Sequence, residues 1–261
     1  MMKVLGLFSG IGGFELGLND AGFEIAAMCE IDPTCRQVLA HHFPGVPIYD
    51  DVRTLTAGRL AADGIAVDLV CGGFPCQDVS IANVQGQGLD GDRSGLWSEY
   101  ARIIGELRPA FVIVENVAEL LARGMGRVLG SLATLGYDAE WRVLRGLDVG
   151  LPFIGERIWI IATPRSAGRQ RRFQYLRSLG IEATPSTERR HQAVRARREL
   201  ETHLDGIRTD DGLSVTMERR RLHGLGNAVT PEVPRRIGNA ILSALDLKAA
   251  HDGLGSVQER K

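Results

Sequence analysis

The sequence predicts an α/β fold: a Rossmann-like, mostly parallel sheet with helices on both faces, joined to a small Arg-rich lobe. Three observations carry this expectation. Short apolar runs alternate with helix-period segments over the first two-thirds of the chain, and that order demands a sheet covered on both sides. A Gly-rich turn follows the first apolar run, where such folds turn from strand into helix. The charge then changes abruptly: residues 165–221 hold 14 Arg and no Lys against 8 Asp plus Glu, an excess of +6 that leaves −7 for the rest of a chain of net charge −1.

Residues 3–8 form the first strand candidate, ending in Ser-Gly-Ile-Gly-Gly. Phe14, Leu16 and Leu18 lead into a helix that stops at Asp20-Ala21-Gly22. Residues 23–29 read as a strand and 34–42 as a helix, and residues 67–71 are a compact apolar run closed by Gly72-Gly73. Leu96, Tyr100, Ile103, Ile104 and Leu107 lie on one helical face, and 110–114 is a buried strand. Residues 137–144 and 157–162 are later strands. In the Arg-rich part, two short helices are expected near 170–179 and 187–203, separated by Pro185. Thr230 is a good N-cap with Pro231 behind it, and Val233, Ile237, Ile241 and Leu245 repeat every four residues, so this helix packs back on the sheet. Past Lys248 the tail is expected to fray.

Composition narrows the class. The chain has 261 residues, 44% hydrophobic and 24% charged, which is ordinary for a globular protein. No run spans a bilayer, and the Gly-rich turn arrives too early for a signal-peptide apolar region, so a cytoplasmic location is expected. Cys29, Cys35, Cys71 and Cys76 show no zinc-type spacing, so reduced thiols and no metal site are expected. A basic segment on an acidic body suits contact with a polyanion, and equally a pair of solvated Arg-rich helices.

Two constellations carry chemistry. In Phe8-Ser9-Gly10-Ile11-Gly12-Gly13-Phe14, glycines allow a sharp turn and close ligand approach, and the following helix offers free N–H groups. Glu30 ends the second strand, placed to accept from ribose hydroxyls, and Asp51, before Val52, is placed for an adenine amino group. A dinucleotide loop wants Gly where Glu15 stands, which disfavours a Rossmann oxidoreductase. Structural glycines beside an exposed acid remain the plainer reading of the same turn. The second constellation is Gly72-Gly73-Phe74-Pro75-Cys76-Gln77, which leaves a strand on the same sheet edge. Cys76 is placed there as a nucleophile or as a buried structural thiol, whereas Cys71 sits inside the strand. Glu115-Asn116-Val117 follows the next strand and can bring an acid to the same pocket, and Arg157 can add a cation or make a surface ion pair.

Together, Phe-Ser-Gly-Ile-Gly-Gly-Phe, Cys-Glu-Ile-Asp, Gly-Phe-Pro-Cys-Gln, Glu-Asn-Val and Gly-Asn-Ala-Val-Thr-Pro stand in an order and spacing that resemble the cytosine carbon-5 DNA methyltransferases, and Asp210-Asp211-Gly212-Leu213-Ser214 followed by Glu218-Arg219-Arg220-Arg221-Leu222 resembles their compact phage- and prophage-like members. The resemblance covers residues 5–117 and 225–241. It implies S-adenosylmethionine as cofactor, held by Phe8, Gly10, Ile11, Gly13, Glu30, Ile31, Asp51, Val52, Asn227 and Val229. It implies Cys76 as nucleophile on a flipped cytosine, Glu115 acting at ring nitrogen 3, and Arg157 holding the base and its carbonyl oxygen. Double-stranded DNA is the implied substrate, with Arg171, Arg172, Arg197 and Arg198 expected at its backbone and base edges. A monomer is expected, with a restriction endonuclease as a conceivable partner. The implied division is a catalytic domain over 1–163, a short target-recognition region over 164–221, a return segment over 222–248, and the tail 249–261. The chain departs from the family's Gln-x-Arg-x-Arg at Phe153-Ile154-Gly155-Glu156-Arg157, where only the last Arg remains. A transfer-RNA cytosine methyltransferase of the same family is the nearest rival, disfavoured because Cys76-Gln77-Asp78-Val79-Ser80 lacks that group's Cys-Phe-Thr variant.

Overall fold

The computed structural model describes residues 1–75, 95–150, 155–167, 175–179 and 229–258, with side chains to Asp246 in the last stretch. Its strands are β1 (Lys3–Leu7), β2 (Glu24–Cys29), β3 (Ile48–Tyr49), β4 (Leu69–Gly73), β5 (Phe111–Val117), β6 (Tyr137–Arg145) and β7 (Glu156–Pro164). Its helices are α1 (Gly13–Asp20), α2 (Pro33–His42), α3 (Ala57–Ala62), α4 (Gly95–Leu107), α5 (Leu120–Arg123), α6 (Met125–Thr134) and α7 (Glu232–Gln258).

The strands form one seven-stranded sheet in the order β3-β2-β1-β4-β5-β7-β6. β1 to β5 run parallel, and β7 lies antiparallel between β5 and β6. The strand order reverses between β1 and β4, so the carboxyl ends of these strands open the crevice where such sheets bind ligands.

Alternation along each strand makes two cores. Leu5, Leu7, Val70, Val112, Val114, Ile158 and Ile160 face α4 and α6. Val4, Leu69, Cys71, Phe111, Ile113, Trp159 and Ile161 face α1 and α7. The expected face of α4 is confirmed by Tyr100, Ile103 and Ile104, all buried. The four-residue repeat of α7 likewise places Val233, Ile237 and Ile241 in the second core. Burying each such side chain contributes about 1.5–3 kcal/mol. α1 meets the start of α7 at backbone distance, because a Cβ at Gly13 would collide with the Val229 carbonyl and one at Gly17 with the Pro231 carbonyl.

The structure differs from the sequence reading at four places. β5 continues through Glu115 and Asn116 to Val117 rather than ending at Val114, because β7 pairs with it as far as Val117 opposite Arg157. α2 starts at Pro33, one residue early, because Asp32 caps it by accepting from the Thr34 and Cys35 N–H groups. Of the helix expected at 170–179, the described part, 175–179, is turn and bend. Its backbone is held from outside: Leu176 N–H donates to Glu140, and Arg142 and Arg236 donate to the Leu176 and Leu179 carbonyls. Tyr175, Leu176 and Leu179 are thereby buried in the second core. Finally, α7 stays helical to Gln258, past Lys248. The expected helix at 187–203, and with it the Arg-rich lobe, lies outside the described residues.

Candidate active site

The turn after β1 is held from below by β2. Phe8 and Gly10 take left-handed backbones, at φ 53 and 54, and so does Gly12 at φ 92. A left-handed Phe is uncommon. Its ring is held against Tyr100 of α4, with centroids 6.2 Å apart. Ser9 N–H donates to the Cys29 carbonyl at 3.1 Å, and Gly10 N–H donates to Glu30 Oε2 at 2.7 Å. The other Glu30 oxygen accepts from Asp32 N–H at 2.8 Å. Each carboxylate oxygen therefore keeps a further acceptor site. Arg36 closes the corner by donating to the Glu30 and Ile31 carbonyls. Ile31 itself is 64% exposed, an apolar side chain left uncovered beside the acid. No atom of the described residues lies within 4 Å of where a Gly10 side chain would point, so those residues leave the outer side of the turn clear.

Asp51 is the next sequence-predicted residue, and it is already engaged. Arg53 donates to it from the backbone N–H, Nε and Nη2, at 2.9, 3.0 and 2.8 Å. That contact holds its carboxyl below the usual range. The adjacent Val52 carbonyl accepts from Arg102 Nη2 at 3.0 Å, which ties this loop to α4.

The third cluster lies on β5 and β7. Arg157 Nε sits 3.0 Å from Glu115 Oε1. Glu115 is only 8% exposed, and burial pushes its carboxyl up to about 7 although Arg157 pulls the other way. Both residues face the second core, because they occupy the same face of the sheet as Phe111 and Trp159. Glu115 pairs in register with Gly73, and a Cβ at Gly73 would lie 2.6 Å from Glu115 Oε2. Glycine there makes room for the acid beside the strand that leads to Pro75. Asn116, on the opposite face, is 3% exposed and donates from Nδ2 to the Phe74 carbonyl at 2.8 Å. That bond fixes the exit of β4.

Glu115 and Arg157 open onto a small cleft, of about 30 Å³, walled by Trp159, Leu144 and the start of the last helix at Val229, Thr230 and Val233. The fold thus brings together Glu115, Arg157 and Val229, and through the Val229 carbonyl it joins Gly13 to the same corner. Gly13 has a packing role there in addition to the one expected of it. Cys76, Asn227, Arg171, Arg172, Arg197 and Arg198 lie outside the described residues. Cys71 is fully buried inside β4, its thiol pushed well above the ordinary value by burial. The sequence reading named Asn116 only within Glu-Asn-Val, without its tethering role, and missed Arg102, for which spacing offers no signal. It noted Glu15 only as a departure from a glycine pattern.

The profile of a family described as C-5 cytosine-specific DNA methylase matches residues 2–209. The Type II methyltransferase M2.BsuMI of Bacillus subtilis is 38% identical over 170 residues, covering 62% of this chain and 42% of that protein. M.HhaI of Haemophilus parahaemolyticus, also a Type II methyltransferase, is 33% identical over 164 residues, covering 61% of this chain and 48% of that protein. The chain thus spans less than half the length of either relative. Among solved structures, a DNA modification methyltransferase encoded within an E. coli prophage aligns with a TM-score of 0.55 and 28% identity, covering 64% of this chain and 48% of that one. The S. pombe Dnmt2 methyltransferase aligns with a TM-score of 0.58 at 20% identity over 72% of this chain and 58% of that one, a likeness of fold alone. Among the described residues no helix is long and apolar enough to cross a membrane. With the profile matched across most of its length, the chain belongs to the C-5 cytosine-specific DNA methylase family.

Proposed function

We propose that the chain transfers a methyl group from S-adenosylmethionine to carbon 5 of cytosine in double-stranded DNA. The observation that carries this reading is the Glu115–Arg157 pair: a buried acid with its carboxyl pushed up to about 7, set beside a guanidinium, one strand away from the segment that leads to Cys76. An acid that is partly protonated near neutral pH can give a proton to a ring nitrogen and take it back.

The residues around the turn fit the cofactor. Glu30 keeps acceptor sites for ribose hydroxyls, exposed Ile31 offers an apolar contact for an adenine, and the described residues leave the outer side of Gly10 clear. Phe8, Gly10, Ile11, Gly13, Glu30, Ile31, Asp51, Val52, Asn227 and Val229 would hold it. When bound, it supplies an electrophilic methyl group.

In this reading Cys76, as thiolate, bonds to carbon 6 of a cytosine turned out of the duplex stack. The electron pair displaced from the 5,6 double bond reaches ring nitrogen 3, which takes the Glu115 proton. Arg157 holds the base carbonyl oxygen and the Glu115 carboxylate as it forms. Carbon 5, now enamine-like, accepts the methyl group. Loss of the carbon 5 proton then expels the thiolate and restores the ring, and ring nitrogen 3 returns its proton to Glu115. The basic segment 165–221 would hold the duplex.

The test is transfer of radiolabelled methyl from S-adenosylmethionine to DNA and to transfer RNA. Labelled 5-methylcytosine in DNA, abolished in Cys76→Ala with cofactor binding kept, supports the reading. Label in RNA alone moves the enzyme to the RNA branch. Full turnover by Cys76→Ala removes the nucleophile.

A further inference from the structure

Directly beneath the turn at residues 8–13 lies a polar group that the mechanism above does not use. Glu15, the third residue of α1, is 0% exposed. Both its carboxyl oxygens and the hydroxyl of Ser9 are buried without a well-aligned hydrogen bond, a condition no other described side chain shares, although Ser9 and the Glu15 backbone N–H lie close enough to pull the carboxyl down against the larger effect of burial. All three atoms crowd one spot. A Cβ on Gly6 would collide with Glu15 Oε1 and lie 2.9 Å from Ser9 Oγ, so the carboxyl occupies the space of the missing side chain on β1.

Among the described residues no cation compensates it. From β2, the charge acting on Glu15 is Glu30, of like sign. From β4, the facing group is the Cys71 thiol, itself held neutral by burial. From α7, Arg235 and Arg236 both turn to Glu232, at 2.7 Å each. From α1 there is only the helix N-terminus, which is fixed backbone. A buried carboxylate in this position is strongly disfavoured unless a positive charge arrives.

We infer that Glu15 is a buried counter-charge for the cationic end of the cofactor: it carries a proton in the free protein and releases it to solvent when the sulfonium and ammonium groups settle on the turn above it. The inference rests on the reading that this turn binds S-adenosylmethionine. The balance is one carboxylic acid becoming one carboxylate, with the proton passing to buffer. Burial is also what pushes the free carboxyl up to about 7, so the exchange falls in an accessible pH range. Ser9, beside it, lowers that value and is the group placed to donate to the carboxylate once it forms.

Titration calorimetry of S-adenosylmethionine into the full chain tests this, in two buffers of different ionisation enthalpy and at several pH values. Wild type should release a proton on binding near pH 6.5, with affinity rising about tenfold between pH 6 and pH 8, as the ionised fraction of a group titrating near 7 does. Glu15→Gln should abolish the release and flatten that rise. S-adenosylhomocysteine, which lacks the sulfonium charge, should show a shallower rise in wild type. Because Glu115 titrates in the same range nearby, proton release that persists in Glu15→Gln assigns it elsewhere and overturns the inference. Binding to wild type without proton release or pH dependence also overturns it, and needs no variant to fold. Absence of any binding by wild type instead defeats the reading of the turn as a cofactor site.

Discussion

Replacing Glu115 with Gln should make the protein more stable above neutral pH and nearly inactive. The carboxyl moves from 4.5 to about 7 on folding, with burial the larger cause and Arg157 opposing it. At 1.36 kcal/mol for each tenfold step, that is about 3 kcal/mol of folded-state preference for the protonated form. The folded state therefore binds more protons than the unfolded chain between these two values. Stability accordingly falls as pH rises through that window and levels off above it. Gln keeps the shape without the charge, so its advantage is near zero at pH 4 and reaches about 2 kcal/mol at pH 8, after allowance for a weaker interaction with Arg157. Arg157 keeps a bond to the Glu156 carbonyl, so its own cost is limited. Urea unfolding of both proteins at pH 4.5, 6, 7 and 8 measures this directly. Methyl transfer by the variant should fall at least about a hundredfold, the scale of a missing general acid. An offset between the two proteins that is the same at every pH, or a variant less stable at pH 8, would refute the argument that burial outweighs the ion pair.

Three further outcomes are expected. Asn116→Leu leaves the buried Phe74 carbonyl without its donor and should cost about 1–3 kcal/mol in chemical denaturation. It should also lower turnover more than cofactor affinity, and an unchanged rate would mean that the exit of β4 needs no tether. Arg53→Ala frees Asp51 and should tighten S-adenosylmethionine binding in calorimetry, whereas weaker binding would show that Arg53 itself contacts the cofactor. Neutralising Arg171 with Arg172, or Arg197 with Arg198, should weaken DNA binding and flatten its salt dependence, by about 0.9 in slope for each phosphate that the variant no longer neutralises. A wild-type slope in both double variants would move DNA binding away from residues 165–221.

The order of strands and helices is legible in the sequence because apolar periodicity is a local property. The four-residue repeat from Val233 to Ile241 names the face of α7 that enters the core. The apolar runs of β1, β4 and β5 are visible for the same reason, although which core each of their side chains enters is not. The short segment near Tyr175 misleads, because apolar spacing does not show that Glu140, Arg142 and Arg236 take over its backbone hydrogen bonds. Strand ends are obscured for a related cause. β5 runs on through Glu115 because β7, a strand from much later in the chain, continues the ladder until Arg157 stands opposite Val117, and a polar side chain gives no hint of it.

The site divides along the same line. Glu30, Glu115 and Arg157 stand out as charged residues at the ends of apolar runs, a position that charge alone makes conspicuous. Their state does not. Whether Glu115 is a strong or a weak acid depends on Gly73 leaving it room, on Trp159 and Val233 walling off water, and on one guanidinium at 3.0 Å. Glu15 shows the limit most sharply. In the sequence it is only the residue that spoils a dinucleotide motif, and an acid in the first turn of a helix is ordinarily a solvated, stabilising one. It becomes a buried acid without a counter-charge among the described residues only because Gly6, nine residues earlier, has no side chain and α1 is pressed to the sheet by the backbone contacts of Gly13 and Gly17 with the start of α7. Those contacts join segments more than 200 residues apart. The electrostatics of the turn is therefore a property of the closed fold, and the chemistry proposed for it is open to change by substitutions that touch neither the acid nor the cofactor.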